Sequence, residues 1–502
     1  MSAGLRVRRA ARAPHGAKRA NAPAARVPAA PKPDAREILA WEDDPMSGAE
    51  VVRRPAPAPA PSNLALAIAG TAPALAPHPP GSEAFRYWAG IEALSRGIAL
   101  WAPHVGERGW AATKRLRVHL DRGQDLNAYY DRKSLSFFHD VAGGRTIYSG
   151  ESPDVVTHEL GHAILDVLRP ELWDVMSTEA AAFHESFGDL SALLCGLELA
   201  SLREAVLRET AGRLFRSSRL SRLAESLGWA IRQSRPDLVA ADALRNAVNA
   251  FFYRPPSALP PSGPDAQLTS EPHSFSRVFT GGAFEAMGLM LAGAAKRPGE
   301  KDLLAVARDF AALLVRAVQR AAIVPAYMSQ VAAQMIEADR ALLAGRHGAA
   351  LRTAFVRRGL LSLESATAKA APPRREAGGE SRRTAAQART AAAEPLPLIR
   401  LAGASLGLGR RVIAVRTAGG APGLAARAAA LSTGDARSAR PDEAAQAFVE
   451  YLVRRGRVDF GPHADRARTA AHPRTRKTHV VTQQTGRLAL VRRCFDCGLD
   501  PA

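Results

Sequence analysis

Ser152-Pro153-Asp154-Val155-Val156-Thr157-His158-Glu159-Leu160-Gly161-His162-Ala163-Ile164 is the stretch on which the reading of this chain turns. Ser152 suits a helix N-cap, Pro153 the first helical position, and Asp154 complements the positive helix end. Val155, Val156, Leu160, Ala163 and Ile164 supply an apolar face, and no proline interrupts before Pro170. The spacing predicts a helix with His158 and His162 at i and i+4, close enough to grip one metal ion. Glu159, beside the first histidine, can reach a water at that metal and take its proton.

Two histidines leave a catalytic zinc one protein ligand short. The next long apolar segment, residues 179–202, reads as a second helix and offers Glu185, with Asp189 one turn on and on the same face. Taken alone, both acids would read as the solvent face of an amphipathic helix. After an H-E-x-x-H helix the better reading makes Glu185 the third ligand and Asp189 the acceptor for a ligand histidine's free N–H. His184 competes with Glu185, but one residue's rotation takes it off the face shared with Asp189. Asp154 and Asp166 share the histidines' face, as supporting groups or as end-of-helix charges.

The order Asp-Val-Val-x-His-Glu-Leu-x-His-Ala followed by Glu-x-x-x-Asp resembles the thermolysin-like neutral metallopeptidases, zincins whose third ligand is glutamate. The resemblance spans roughly residues 84–362 and is strongest at the two metal helices. It implies an α+β fold: a zincin catalytic domain with a reduced β-rich part and a mainly helical C-terminal lobe. It also implies further site residues. Asn127-Ala128-Tyr129-Tyr130 is similar to the edge strand whose Asn side chain and Ala carbonyl hold the substrate backbone. Leu244-Arg245-Asn246 resembles the segment whose arginine binds a substrate carbonyl. Pro272-His273-Ser274 resembles the segment whose histidine stabilises the tetrahedral intermediate. Read without the family, Asn127 is a turn residue, Arg245 a surface arginine on an amphipathic helix and His273 a residue near an N-cap.

The chain departs from the family in several places. The gap between His162 and Glu185 is longer. Trp173 falls near the place of the assisting tyrosine, and Asp265 or Glu271 must replace the aspartate that orients the assisting histidine. Only Asp154 matches the calcium-binding acids, so one Zn2+ ion is expected and calcium is doubtful.

Around this domain the composition changes. The chain has 502 residues, a formal net charge of +20 and only 6% aromatic residues, so part of its length is not expected to form packed core. Residues 1–81 are Pro/Ala/Arg-rich and read as a disordered segment with at most one short strand, at 64–68. Residues 82–364 form the metallopeptidase domain, 365–395 a linker, and 396–502 a separate basic segment with an amphipathic helix (441–455) and a hairpin (479–493). The basic ends could touch nucleic acid, acidic protein or anionic lipid. With no aromatics interleaved, the solvated-tail reading is preferred and no strong signal for nucleic acid remains. Cys494-Phe495-Asp496-Cys497 is a lone C-x-x-C, read as chance spacing because a zinc ribbon needs a second pair.

No secretory signal or membrane-spanning run is visible, which suggests a cytoplasmic protein or one exported by a non-standard route. The expected activity is zinc-dependent endopeptidase hydrolysis of a peptide or protein substrate. Glu159 and His273 would be catalytic, Asn127, Ala128 and Arg245 would bind substrate, and His158, His162 and Glu185 would hold the metal. Two rivals are an aminopeptidase-type zincin, for which no site for a free amino terminus is seen, and a degenerate peptidase domain serving as a basic protein- or nucleic-acid-interaction module.

Overall fold

A computed structural model describes residues 37–48, 50–364, 366, 396–419, 440–463, 476–484 and 486–498. The expected linker over 365–395 and the first 36 residues lie outside these, apart from residue 366. The described chain is mixed α+β.

Order begins earlier than composition suggests. The hairpin β1 (Glu37–Trp41) and β2 (Val51–Pro55) is antiparallel, and Ile38 and Ala40 bury against Phe85 and Ala89. From residue 37 onward this corrects the expectation of a disordered segment to residue 81. Burying a short apolar alternation outweighs its proline-rich surroundings. Strand β3 (Leu66–Ile68) follows, then helix α1 (Glu83–Val105), capped by Ser82.

Strands β4 (Leu116–His119), β5 (Ala128–Tyr130) and β6 (Ser134–Phe137) form as the alternation predicts, with Asp131-Arg132-Lys133 at the β5–β6 turn. A third antiparallel pair, β7 (His139–Ala142) and β8 (Arg145–Tyr148), leads into the metal helix. Helix α2 (Pro153–Leu168) starts at Ser152, whose side chain accepts from Val155 N, and α3 (Thr178–Gly196) starts at Ser177 in the same way. Every residue from Val155 to Leu168, and from Glu179 to Cys195, is buried. These are core helices without a solvent face, which excludes the amphipathic reading of Glu185 and Asp189.

The region after α3 departs from expectation. One amphipathic run over 203–252 is replaced by α4 (Ala200–Thr210), β9 (Arg222–Leu223), α5 (Glu225–Arg232) and β10 (Arg245–Asn246), which pairs with β9. Ala211 and Gly212 adopt positive φ angles of 51° and 74° and so end α4. Four helices then build the second half of the domain: α6 (Pro272–Ala294), α7 (Glu300–Arg320), α8 (Tyr327–Leu343) and α9 (Gly348–Arg357). Helix α6 packs on α3 and α9, and α7 on α8. No helix among the described residues is long and apolar enough to cross a membrane.

The C-terminal segment is not separate, which corrects the expected division. Strands β11 (Leu398–Ala402), β12 (Val412–Arg416), β13 (Val458–Asp459), β14 (His479–Gln484) and β15 (Arg487–Arg492) form a sheet in the order β11-β12-β15-β14-β13, alongside helix α10 (Pro441–Arg454). Leu401, Phe448 and Leu490 join the same hydrophobic cluster as α2 and α3. Met176 N donates to Arg416 O at 2.9 Å, and Arg492 Nε to Trp173 O at 3.1 Å. A last strand, β16 (Phe495–Asp496), crosses over and completes the first sheet, whose order is β16-β5-β6-β4-β3.

Candidate metal centre

Helices α2 and α3 approach closely enough to bring their polar side chains together. A Cβ on Gly188 would stand 2.6 Å from His158 Cε1, and one on Gly161 would stand 2.9 Å from Gly188 Cα. Residues without side chains at the crossing let Glu185 reach both histidines. Its carboxylate lies 3.4 Å from His158 Nε2 and 3.8 Å from His162 Nε2. His158 turns its other nitrogen, Nδ1, to Asp189 Oδ1 at 3.2 Å. The sequence-derived ligand set and the acceptor behind it are thus brought together.

The donor chemistry fits a zinc ion. His158 Nε2, both ring nitrogens of His162, and Glu185 Oε2 are buried without a hydrogen-bond partner among the described residues. Buried polar groups left unpaired are costly, and a shared cation would satisfy His158 Nε2, one nitrogen of His162 and Glu185 Oε2. Two nitrogens and a carboxylate are a common ligand set for catalytic zinc. Ligand atoms of His158, Glu159, His162 and Cys497 all lie within 4.8 Å of one another, as do those of Glu185, His273 and Cys497. Cys497 is the member that sequence reasoning missed, having set aside Cys494 and Cys497 as chance.

Electrostatics divide the site. Burial raises Glu159 to about 8, with His158 and the Cys497 hydrogen bond opposing it and Glu185 reinforcing it. Glu185 is held well below the usual carboxylate range, since His273, His162 and His158 outweigh the effect of burial. Asp189 falls to about 2: burial would raise it, but Arg245 and His158 prevail.

His273 sits on the first turn of α6. Its Nδ1 lies 2.7 Å from Glu271 Oε1, and its Nε2 lies 3.3 Å from Glu185 Oε2. Glu271 is also the N-cap of α6, accepting from Ser274 N at 2.7 Å. It is therefore Glu271 that orients the histidine, while Asp265 pairs with Arg277 at 2.7 Å. Burial disfavours charge on His273, yet Glu185 and Glu271 raise it to about 9.

Arg245 is buried, not on a surface helix, and binds Asp189 Oδ1 through Nη2 at 2.8 Å. Asn127 is buried, with its Oδ1 accepting from Ala128 N. Beside Arg245 and His273 lies a cavity of about 330 Å³ that reaches Gly498.

Four other residues find different work. Trp173 packs edge-on against Tyr130 and Phe495. Asp166 accepts from Tyr130 and Arg132, and Asp154 from Ala224 N. His184 stacks on Phe495 with centroids 4.0 Å apart, and neither of its nitrogens has a hydrogen-bond partner among the described residues.

No family model matches the chain. No curated protein is significantly similar to it either.

Proposed function

We propose that the chain is a zinc-dependent metalloendopeptidase of the thermolysin-like, zincin type. The observation that carries this reading is the Glu185 carboxylate, set against both His158 and His162, with Glu159 beside them and Asp189 behind His158. His158, His162 and Glu185 would hold the ion. When bound, zinc polarises a peptide carbonyl and acidifies a water.

The remaining work falls to side chains. Glu159 takes the proton of the attacking water, whose oxygen bonds to the carbonyl carbon. It then delivers that proton to the amide nitrogen as the C–N bond breaks. His273, charged and oriented by Glu271, donates to the developing oxyanion. Asn127 and the Ala128 carbonyl offer an edge to which an extended peptide can add as a strand. Asp189 orients both His158 and Arg245.

The test compares wild type with Glu159→Gln for metal content and for hydrolysis of a mixed peptide library. One zinc per chain in both proteins, with hydrolysis by wild type alone, is the expected result. A wild type that binds no zinc overturns the reading.

A further inference from the structure

Strand β16 occupies the edge on which a substrate would add. It runs antiparallel to β5, pairing Phe495 with Tyr130 and Asp496 with Tyr129. One residue on, Cys497 N donates to Ala128 O at 2.9 Å, using the carbonyl expected to hold substrate. His273 Nε2 lies 2.9 Å from Asp496 O, so the histidine meant for an oxyanion already faces a peptide carbonyl. Gly498 passes against Asn127: a Cβ there would meet Asn127 Nδ2 at 2.5 Å, so only glycine fits this approach without a shift. The chain's own segment thus engages Asn127, Ala128 and His273 together.

Side chains lock the segment in place. Phe495 stacks on His162 and His184, and Arg492 lies over its ring. The Asp496 carboxylate is buried and paired with Arg457 at 3.0 Å. Between these anchors Cys497 projects inward, and its Sγ donates to Glu159 Oε1 at 3.0 Å. That sulfur stands beside the general base, where the attacking water would have to be. It is also within 4.8 Å of ligand atoms from His158, His162, Glu185 and His273. His158 Nε2, both nitrogens of His162 and Glu185 Oε2 are buried and unpartnered among the described residues.

A catalytic zinc site keeps one position open, whereas a site closed by four protein ligands does not bind water. Cysteine thiolate is a preferred fourth ligand, at roughly 2.3 Å from zinc. We propose that Cys497 closes this site: its thiolate is the fourth ligand beside His158, His162 and Glu185, and the chain rests in a latent form with β16 in its own cleft. The inference relies on the zinc reading above. In forming the bond to the metal, Cys497 passes its thiol proton to Glu159, so the ligand enters as thiolate and the base is occupied. With no water beside Glu159, the Asp496–Cys497 peptide bond is spared although its carbonyl faces His273. Hydrolysis begins when the strand leaves the cleft.

The test uses the full chain, reduced, stripped of metal and reloaded. X-ray absorption at the zinc edge should show one sulfur among nitrogen and oxygen ligands in wild type and none in Cys497→Ser. Cobalt in place of zinc should show a thiolate charge-transfer band that the same variant lacks. In unmutated protein, zinc should slow alkylation of Cys497 by iodoacetamide about tenfold or more, with Cys195 and Cys494 unchanged. Cys497→Ala, with zinc retained, should hydrolyse peptides about tenfold faster than wild type or more. Zinc bound with only nitrogen and oxygen ligands, and equal alkylation with and without metal, overturns this proposal but leaves the zinc-peptidase reading standing. Equal hydrolysis by Cys497→Ala and wild type overturns the part that Cys497 plays in the latency. Failure to bind zinc at all overturns both readings.

Discussion

Glu271 Oε1 lies 2.7 Å from His273 Nδ1, and the same carboxylate caps helix α6. One acid therefore fixes both the helix start and the direction of the histidine's other nitrogen. Burial lowers the His273 pKa and Glu185 raises it, with Glu271 adding to the rise, to about 9. Glu271→Gln keeps a capping oxygen but removes the charge. The alkaline limb of kcat/KM should move to lower pH, and the value near neutrality should fall roughly 10- to 100-fold. An unchanged pH profile would show that Glu271 is only a cap.

Gly188→Ala should report on the helix crossing. In an exposed helix interior this change is favourable by about 1 kcal/mol. Here the added carbon meets the His158 ring at 2.6–2.8 Å. Overpacking should turn the gain into a loss of about 1–3 kcal/mol, with weaker zinc binding. Thermal unfolding and competition with a chelator measure the two effects, and a raised Tm contradicts the argument.

Asp189 serves two masters, His158 Nδ1 at 3.2 Å and Arg245 Nη2 at 2.8 Å. Asp189→Ala removes the acceptor that sets the His158 tautomer and should cost roughly 10- to 100-fold in zinc affinity. It also strands the buried guanidinium, for a stability loss of about 3–5 kcal/mol. Asp189→Asn should recover much of the first effect and little of the second. Equal loss in both variants would contradict this division.

A buried acid group away from the metal should give the stability an unusual pH dependence. Burial raises Asp43 from 3.8 to about 8; the Asp44 backbone N–H opposes the rise, the Asp44 and Glu225 charges add to it, and Arg219 opposes it. Between those values the folded chain holds a proton that the unfolded chain has released. Stability should therefore fall as pH rises from about 4 to about 8. Asp43→Asn should flatten that slope and stabilise the protein at neutral pH. Urea unfolding at pH 5 and pH 8 decides it, and a slope of opposite sign would contradict the assignment.

How much the sequence revealed depended on whether the signal was local. Ser152, Pro153 and the apolar run after them define α2 at short range, and the structure reproduces its start and ends it at Leu168, before Pro170. The Asn127–Phe138 hairpin and helices α6 to α9 were legible for the same reason. The place of Arg245 is not legible locally: its environment is set by Asp189, 56 residues away, and no periodicity records an ion pair. Composition hides the hairpin at residues 37–55, because two short strands are outweighed by their proline-rich surroundings. Cys497 was invisible as a site member, since 338 residues separate it from Glu159. A lone C-x-x-C carries no sign of which edge strand it will join.

That β16 belongs to the same chain as β5 changes how its hold can be broken. A separate inhibitor is lost on dilution, but a tethered one competes at an effective concentration of the order of millimolar, whatever the amount of protein present. Each copy carries one blocking segment, so excess or shortage cannot arise from unequal synthesis. Added peptides must outcompete that local supply. A single cut between α10 and β16 would instead remove the tether and leave the strand held only by its contacts.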